Sequence, residues 1–277
     1  TTKPPSFKSL LAILGAPEPT LSGSRELQKV GRDLDRENLE SPRPFLGRES
    51  ELQSLLCWRQ SEKRSALAVV GPRLVGKSAL VLAGIAEYAR WQSQRAAHGS
   101  SDVALSKAHK KKRKKLRAAS RGRHWLLNPG RLISGMSYLG QWENRLLSIL
   151  RYARAQDLVL VFDDLVGLLS AGVSRDSSLN VAQVLKSFLV RGELRVIAQC
   201  TAEELQLVRE RDRSLADLFE ILPLQATAPK VTRQVALSTA RYLEDQQGAS
   251  IDLEAVYLAV ELADRYWTFS SQPGKSA

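Results

Sequence analysis

The residues best suited to chemistry in this sequence form a loop at positions 71–78. Its members match the pattern G-x-x-x-x-G-K-[ST] in full and are Gly71, Pro72, Arg73, Leu74, Val75, Gly76, Lys77 and Ser78. Glycines let the backbone curl so that several N–H groups point at one anion. Lys77 adds a positive charge for the β- and γ-phosphates of a nucleotide, and the Ser78 hydroxyl is suited to bind Mg²⁺. The loop therefore predicts a site for ATP and Mg²⁺.

The segments on both sides of this loop have the character that a phosphate site requires. The apolar run SALAVV precedes it and predicts a buried strand, and ALVLAGIAEYA follows it and predicts a helix. The amino end of a helix carries a partial positive charge, which favours a phosphate at that position. A glycine turn with an incidental lysine is the competing interpretation, and the strand-loop-helix setting argues against it.

A second set of chemical groups follows the apolar run Leu158–Phe162. This run ends in two acids, Asp163 and Asp164. A buried strand that ends in an aspartate commonly holds the magnesium water shell in nucleoside triphosphatases, and we predict this role for Asp163. The next acid commonly orients the attacking water, so Asp164 is the predicted general base. A plain turn is the alternative explanation for the pair.

The apolar pattern predicts an α/β fold. Strand-length apolar runs alternate with segments of helical spacing, and they are Ala66–Val70, Trp125–Leu127, Leu158–Phe162, Leu194–Ala198 and Phe219–Leu224. We predict a five-stranded parallel sheet sandwiched by helices, as in P-loop NTPases. Residues 26–60 have helical spacing with a break at 41–44, and Val231–Glu244 and Leu253–Tyr266 predict two later helices separated by Gly248.

The net charge and the cysteine content indicate which kinds of partner and which cellular compartment to expect. The net charge is +12, but residues 107–123 contain ten Lys or Arg and no acid, so the rest of the chain is near +2. This basic tract is predicted to be a solvated insertion or a contact for nucleic acid, an acidic protein or anionic lipid. No apolar run is long enough to span a membrane. Two distant cysteines, Cys57 and Cys200, predict reduced thiols and a cytoplasmic location.

Several stretches resemble the first ATPase domain of Clp-type AAA+ unfoldases, the ClpA, ClpB and ClpC group. Residues 27–52 are similar to the opening segment of that domain, and they contain the Gly47-Arg48-Glu49 turn that lies near the adenine in the family. Residues 133–146 look like the family's first pore loop and the helix after it. Residues 184–201 resemble the helix and strand that precede the position sensing the γ-phosphate. The similarity extends over about residues 27–268.

This resemblance implies domain boundaries and a function. It implies a flexible arm or linker at 1–26, an AAA+ nucleotide-binding domain at 27–228 with a basic insertion at 101–123, and a partial helical lid at 229–277. The family forms rings, expected here to be homo- or hetero-oligomeric hexamers, that move protein substrates through a central pore. By the same resemblance, Tyr138 would grip the threaded chain, Thr201 would be the sensor, and Gly47 and Arg48 would contribute to nucleotide binding.

The sequence also departs from the family pattern at positions that matter for hydrolysis. Asp164 stands where the family usually has Glu, and its carboxylate is set back by about 1–1.5 Å, a displacement that can cost on the order of 10²-fold in rate. Asp217 and Leu218 occupy the positions of two arginines that normally reach the neighbouring subunit's nucleotide, although Arg211 and Arg213 are near. Three functions therefore stay open: an ATP-driven protein remodeller, a degenerate ATP-binding scaffold or regulatory subunit, and a nucleic-acid-associated P-loop protein.

Overall fold

The structure is a computed structural model that describes residues 19–40, 44–98, 123–136, 140–173 and 179–276. Within these ranges the strands are β1 (Gly31–Asp33), β2 (Ala66–Val70), β3 (His124–Leu127), β4 (Val159–Phe162), β5 (Arg195–Cys200) and β6 (Phe219–Pro223). The helices are α1 (Pro19–Val30), α2 (Leu34–Glu40), α3 (Glu49–Gln60), α4 (Lys77–His98), α5 (Pro129–Ile133), α6 (Gln141–Gln156), α7 (Gly167–Ser170), α8 (Val181–Val190), α9 (Ala202–Arg211), α10 (Arg213–Ala216), α11 (Pro229–Gln247) and α12 (Leu253–Tyr266).

The strands form one six-stranded sheet in the order β1-β3-β4-β5-β2-β6. All neighbours are parallel except β1, which runs antiparallel to β3 at one edge. Val70 at the end of β2 pairs with Cys200 on one side and with Pro223 on the other. The carboxyl ends of β5 and β6 therefore flank the loop that leaves β2, which is where α/β proteins bind ligands.

The core lies on both faces of the sheet, because alternate residues of each buried strand point to opposite sides. In β2, Ala66, Ala68 and Val70 belong to the cluster that includes apolar residues of α6 and α8. Leu67 and Val69 belong to the opposite cluster, which includes apolar residues of α3 and α4. A sheet buried between two helical layers explains why these strands were recognisable as continuous apolar runs.

The predicted α/β fold is confirmed, and all five predicted strands are present with bounds that shift by at most two residues. The predicted strand number was wrong, because β1 adds a sixth strand inside a segment with helical spacing. Gly31 makes this turn from helix to strand feasible, since a Cβ there would lie 2.9 Å from the Leu27 carbonyl oxygen and 3.0 Å from the Trp125 ring. A three-residue strand is too short to leave a periodic signal.

The two helices predicted after residue 229 are also present. Helix α11 ends at Gly248, whose φ of 64° is left-handed and suits a glycine after a helix. The two helices share a small apolar cluster of Ala236, Ala240, Val256 and Val260. None of the described helices is long and apolar enough to cross a bilayer. Tyr138 and residues 101–122, which contain most of the basic tract, lie outside the described residues.

Candidate nucleotide-binding site

The loop at 71–78 is anchored at both ends and curled between them. The Gly71 N–H donates to the Cys200 carbonyl at 3.1 Å, which ties the start of the loop to the end of β5. At the other end, the Leu80 N–H donates to the Gly76 carbonyl at 2.9 Å in the first turn of α4. Gly76 has a φ of 99° and Leu74 a φ of 62°, so the chain reverses direction through left-handed conformations. The loop thereby adopts the compact shape that its sequence predicts.

Lys77 places its charge at the centre of this curl. Its ammonium donates to the carbonyls of Gly71 at 2.7 Å and Pro72 at 2.8 Å. Burial lowers the pKa of Lys77, and the Glu204 carboxylate partly opposes that shift. Within the described residues, the N–H groups of Gly76 and Lys77 have no hydrogen-bond acceptor. A half-buried cation beside free backbone donors fits the polyphosphate of a nucleotide.

Ser78 follows in the first turn of α4 and is oriented by the neighbouring strand. Its hydroxyl donates to the Oε1 of Gln199 at 2.7 Å. Gln199 lies in β5 opposite Val69 and is buried. A serine hydroxyl has one hydrogen and two lone pairs, so the oxygen keeps acceptor capacity for a cation. This contact fits the predicted magnesium-binding role of Ser78, and the contact between Gln199 and Ser78 was not predicted from the sequence.

Arg48 contacts the backbone of the loop and is buried there. Its guanidinium is buried and donates to the carbonyls of Val75 at 2.8 Å and Gln225 at 2.7 Å, and it pairs with Glu51 at 3.2 Å. Gly47 before it has no room for a side chain, because Val231 of α11 occupies that space. Arg48 thus supports the loop backbone, and the contribution of Gly47 and Arg48 to nucleotide binding stays a prediction.

The two acids after β4 have different surroundings. Asp163 and Asp164 are both exposed. The Oδ1 of Asp164 accepts the Gly167 N–H at 2.7 Å at the start of α7, and a Cβ at position 167 would overlap the carboxylate in this arrangement. Asp163 makes no hydrogen bond or ion pair within the described residues, so its oxygens face solvent. Asp164, the predicted general base, is thus held by a hydrogen bond within the turn that leads into α7.

Thr201 lies at the carboxyl end of β5 and caps α9. Its hydroxyl accepts the Glu204 N–H at 3.2 Å, and the Glu204 carboxylate accepts the Thr201 N–H at 2.9 Å. This reciprocal pair is a capping box, whose T-x-x-E spacing is readable in the sequence. The Thr201 hydroxyl is thus engaged with its own helix, whereas Gln199 two residues earlier contacts Ser78.

After α10, the two positions where the resemblance predicts arginines hold an acid, Asp217, and an uncharged residue, Leu218. Asp217 is exposed and lies 3.7 Å from Arg213, with 62% and 86% of the two side chains accessible. Arg211 is exposed as well. An exposed, widely spaced ion pair of this kind is weak, so it does little to hold Arg213 in place.

A segment after α12 reaches back to the phosphate loop. The N–H of Ser271 donates to the Arg73 carbonyl at 3.0 Å, and the N–H of Gly274 donates to the Leu74 carbonyl at 2.9 Å. The segment is held in turn by Asp264 of α12, which accepts from Lys275 at 2.8 Å and from Gln272 at 2.9 Å. The Lys275 hydrogen bond is the main reason why the pKa of Asp264 lies below its ordinary value.

These features define a P-loop nucleotide-binding protein. A glycine loop joins a buried parallel strand to a long helix, and lysine and serine stand at the start of that helix. The comparison with family models gives a more specific assignment. Residues 35–251 match the family described as Novel STAND NTPase 1. The chain therefore belongs to this family, a classification that was not predicted from the sequence.

Comparison with individual proteins confirms the expected relation to Clp-type AAA+ proteins. The chain is 26% identical to the chaperone protein ClpB of Lactiplantibacillus plantarum over 90% of its length, and 27% identical to ClpB of Helicobacter hepaticus over 97%. It is 35% identical to heat shock protein 100 of Trypanosoma brucei brucei over 54% of its length and 17% of that protein. It spans only 26% and 29% of the two ClpB proteins.

Solved structures agree on the fold. A complex of Hsp104 from S. cerevisiae with casein matches with a TM-score of 0.68 at 22% identity, over 91% of this chain and 39% of that one. The ADP complex of the same protein matches with a TM-score of 0.67 over 90% of this chain and 39% of that one, also at 22% identity. These matches establish the AAA+ type of α/β fold for the described part of the chain.

Proposed function

We propose that this chain binds ATP with Mg²⁺ at residues 71–78 and serves as the ATP-binding module of a Clp-like protein remodeller. The observation that carries the proposal is the geometry around Lys77. Its ammonium lies within 2.8 Å of two loop carbonyls, and the Gly76 and Lys77 N–H groups of the same loop have no acceptor in the part of the chain that the structure describes. Phosphate oxygens would satisfy both the cation and these donors.

Each remaining group has a part in this proposal. Ser78 and Asp163 hold Mg²⁺, which neutralises charge on the phosphates when bound. Asp164 accepts a proton from the attacking water, with the Gly167 N–H fixing one of its oxygens so that the other can face the water. Thr201, at the end of β5, is the proposed sensor, and its capping box places it at the junction of β5 and α9.

Work on polypeptides is the second part of the proposal. It is supported by the similarity to ClpB proteins and by the fold match to Hsp104, which has been solved with casein. By this similarity, the module acts in a homo- or hetero-oligomeric ring, hexameric in the family, on protein substrates in the cytoplasm. Tyr138 stays a prediction for the residue that grips the threaded chain.

A second function is favoured by two observations. The carboxylate of Asp164 is tied to the start of α7, and Asp217 carries negative charge where the family has an arginine. An arginine finger is worth about 10³–10⁵ in rate, so a ring built from such chains would hydrolyse slowly. In this alternative the chain binds ATP and serves as a scaffold or regulatory subunit.

Affinity and turnover measured on one preparation separate the two functions. The wild type and Lys77→Ala should be compared for binding of a fluorescent ATP analogue and for phosphate release, each as a function of protein concentration. A remodeller module gives turnover that rises on assembly and is abolished in Lys77→Ala. Tight binding without turnover at any concentration selects the scaffold, and the lack of binding by the wild type rejects both.

A further inference from the structure

Gln199 is a buried amide at an unusual place for a polar residue. It lies within β5 between Ala198 and Cys200, which are themselves buried, and only 6% of its surface is accessible. A buried amide without a partner is costly, so the residue needs a hydrogen bond to be tolerated there. Its Oε1 has one, from the Ser78 hydroxyl at 2.7 Å. The polar residue in the strand is thus paired with the loop.

This contact fixes the direction in which Ser78 offers its oxygen. A free hydroxyl can rotate, and its lone pairs then have no set direction. When the hydrogen is donated to Gln199, both lone pairs point away from β5. P-loop proteins ordinarily present this oxygen to the metal ion. Within the described residues, Ser78 makes no hydrogen bond to Asp163, the other predicted metal-binding residue, so the side-chain partner of its hydroxyl there is Gln199.

We propose that Gln199 is a positioning residue that orients the Ser78 hydroxyl for Mg²⁺. The inference rests on the proposed function, because the metal role of Ser78 belongs to it. Gln199 is well placed to do this, since β5 also accepts the Gly71 N–H through the Cys200 carbonyl. The same short stretch of strand therefore holds the loop backbone and its metal-binding side chain.

The test is the dependence of nucleotide affinity on Mg²⁺. Affinity for a fluorescent ATP analogue is measured with saturating Mg²⁺ and with EDTA, and the ratio of the two is compared among variants. Gln199→Met keeps the side-chain length and removes the acceptor. We expect the ratio to fall about three- to tenfold, which corresponds to the loss of one hydrogen bond, while affinity in EDTA is unchanged.

Matched variants separate positioning from a general structural role. Gln199→Leu also lacks an acceptor and should reproduce the loss, so the test does not depend on the folding of one variant. In a Ser78→Ala background, Gln199→Met should cause no further fall, because the hydroxyl that it orients is gone.

The outcomes distinguish this inference from the proposed function. An unchanged ratio in Gln199→Met and Gln199→Leu, or an equal fall in the presence and absence of the Ser78 hydroxyl, would overturn the role of Gln199 and leave ATP binding intact. A wild type that binds the analogue neither with Mg²⁺ nor with EDTA would overturn the proposed function and the inference together.

Discussion

The buried Arg48 guanidinium supports the phosphate loop, and its removal should destabilise the protein. It donates to the carbonyls of Val75 and Gln225, at 2.8 and 2.7 Å, and joins the turn before α3 to the loop and to the chain after β6. In Arg48→Met the aliphatic stem can still pack, but both carbonyls lose a charged donor. The change therefore isolates the polar contribution.

The magnitude follows from these contacts. A hydrogen bond to a charged group contributes about 1.5–3 kcal/mol, and part of this returns when water reaches the carbonyls. We expect the free energy of unfolding to fall by about 2–4 kcal/mol. For a domain of this size, a change of about 1 kcal/mol moves Tm by about 2–4 °C, so the midpoint should fall by about 5–15 °C.

The assay is urea denaturation followed by circular dichroism, with thermal unfolding as the second readout. Arg90→Met is the matched control, because Arg90 is 72% exposed and its ion pair with Glu87 on the surface of α4 is the only one it makes to a residue that the structure describes. Exposed pairs are worth less than about 1 kcal/mol. Equal effects of the Arg48 and Arg90 substitutions would refute the supporting role of Arg48.

Three further predictions concern other parts of the site. Burial raises the pKa of the Cys200 thiol to about 11, so a thiol reagent at pH 8 should label Cys57 alone, and labelling of both cysteines in the folded protein would contradict the structure. A Cβ at position 274 would overlap the Leu74 carbonyl, so Gly274→Val should detach the segment after α12 from the loop. Hydrogen exchange at residues 271–276 should then become faster, and unchanged exchange would argue against the contact. Asp164→Asn keeps the acceptor for the Gly167 N–H and should abolish turnover at unchanged stability, whereas Asp164→Ala should also lose about 0.5–1.5 kcal/mol of stability with that hydrogen bond. Retained turnover in both variants excludes Asp164 as the base.

The parts of the fold that the sequence predicted are those with a strong local signal. The run Ala66–Val70 is buried on both faces and reads as a strand in any context, and the eight-residue motif after it fixes the loop. The strand at Gly31–Asp33 was missed because its pairing with β3 spans almost a hundred residues of sequence. No pattern within three residues can indicate such a partner.

The same limit applies to the site. The predicted strand ended at Ala198, since the polar residue Gln199 interrupts the apolar run. In the structure β5 continues to Cys200, and the side-chain amide of Gln199 is accommodated there by its hydrogen bond from Ser78. The contact of Gly274 with Leu74 joins positions 200 residues apart and has no sequence signature. Tyr138 and most of the basic tract lie outside the described residues, and their roles remain predictions.

The most direct test of ATP binding at residues 71–78 is calorimetric titration of ATP with Mg²⁺ into the wild type, Lys77→Met and Lys63→Met. Lys63 is exposed in the turn before β2 and controls for the loss of one positive charge. We predict saturable binding below millimolar ATP, an affinity loss of at least about tenfold for Lys77→Met, and no loss for Lys63→Met. Absence of binding by the wild type at millimolar ATP, or equal affinities of all three proteins, would contradict a phosphate site at this loop.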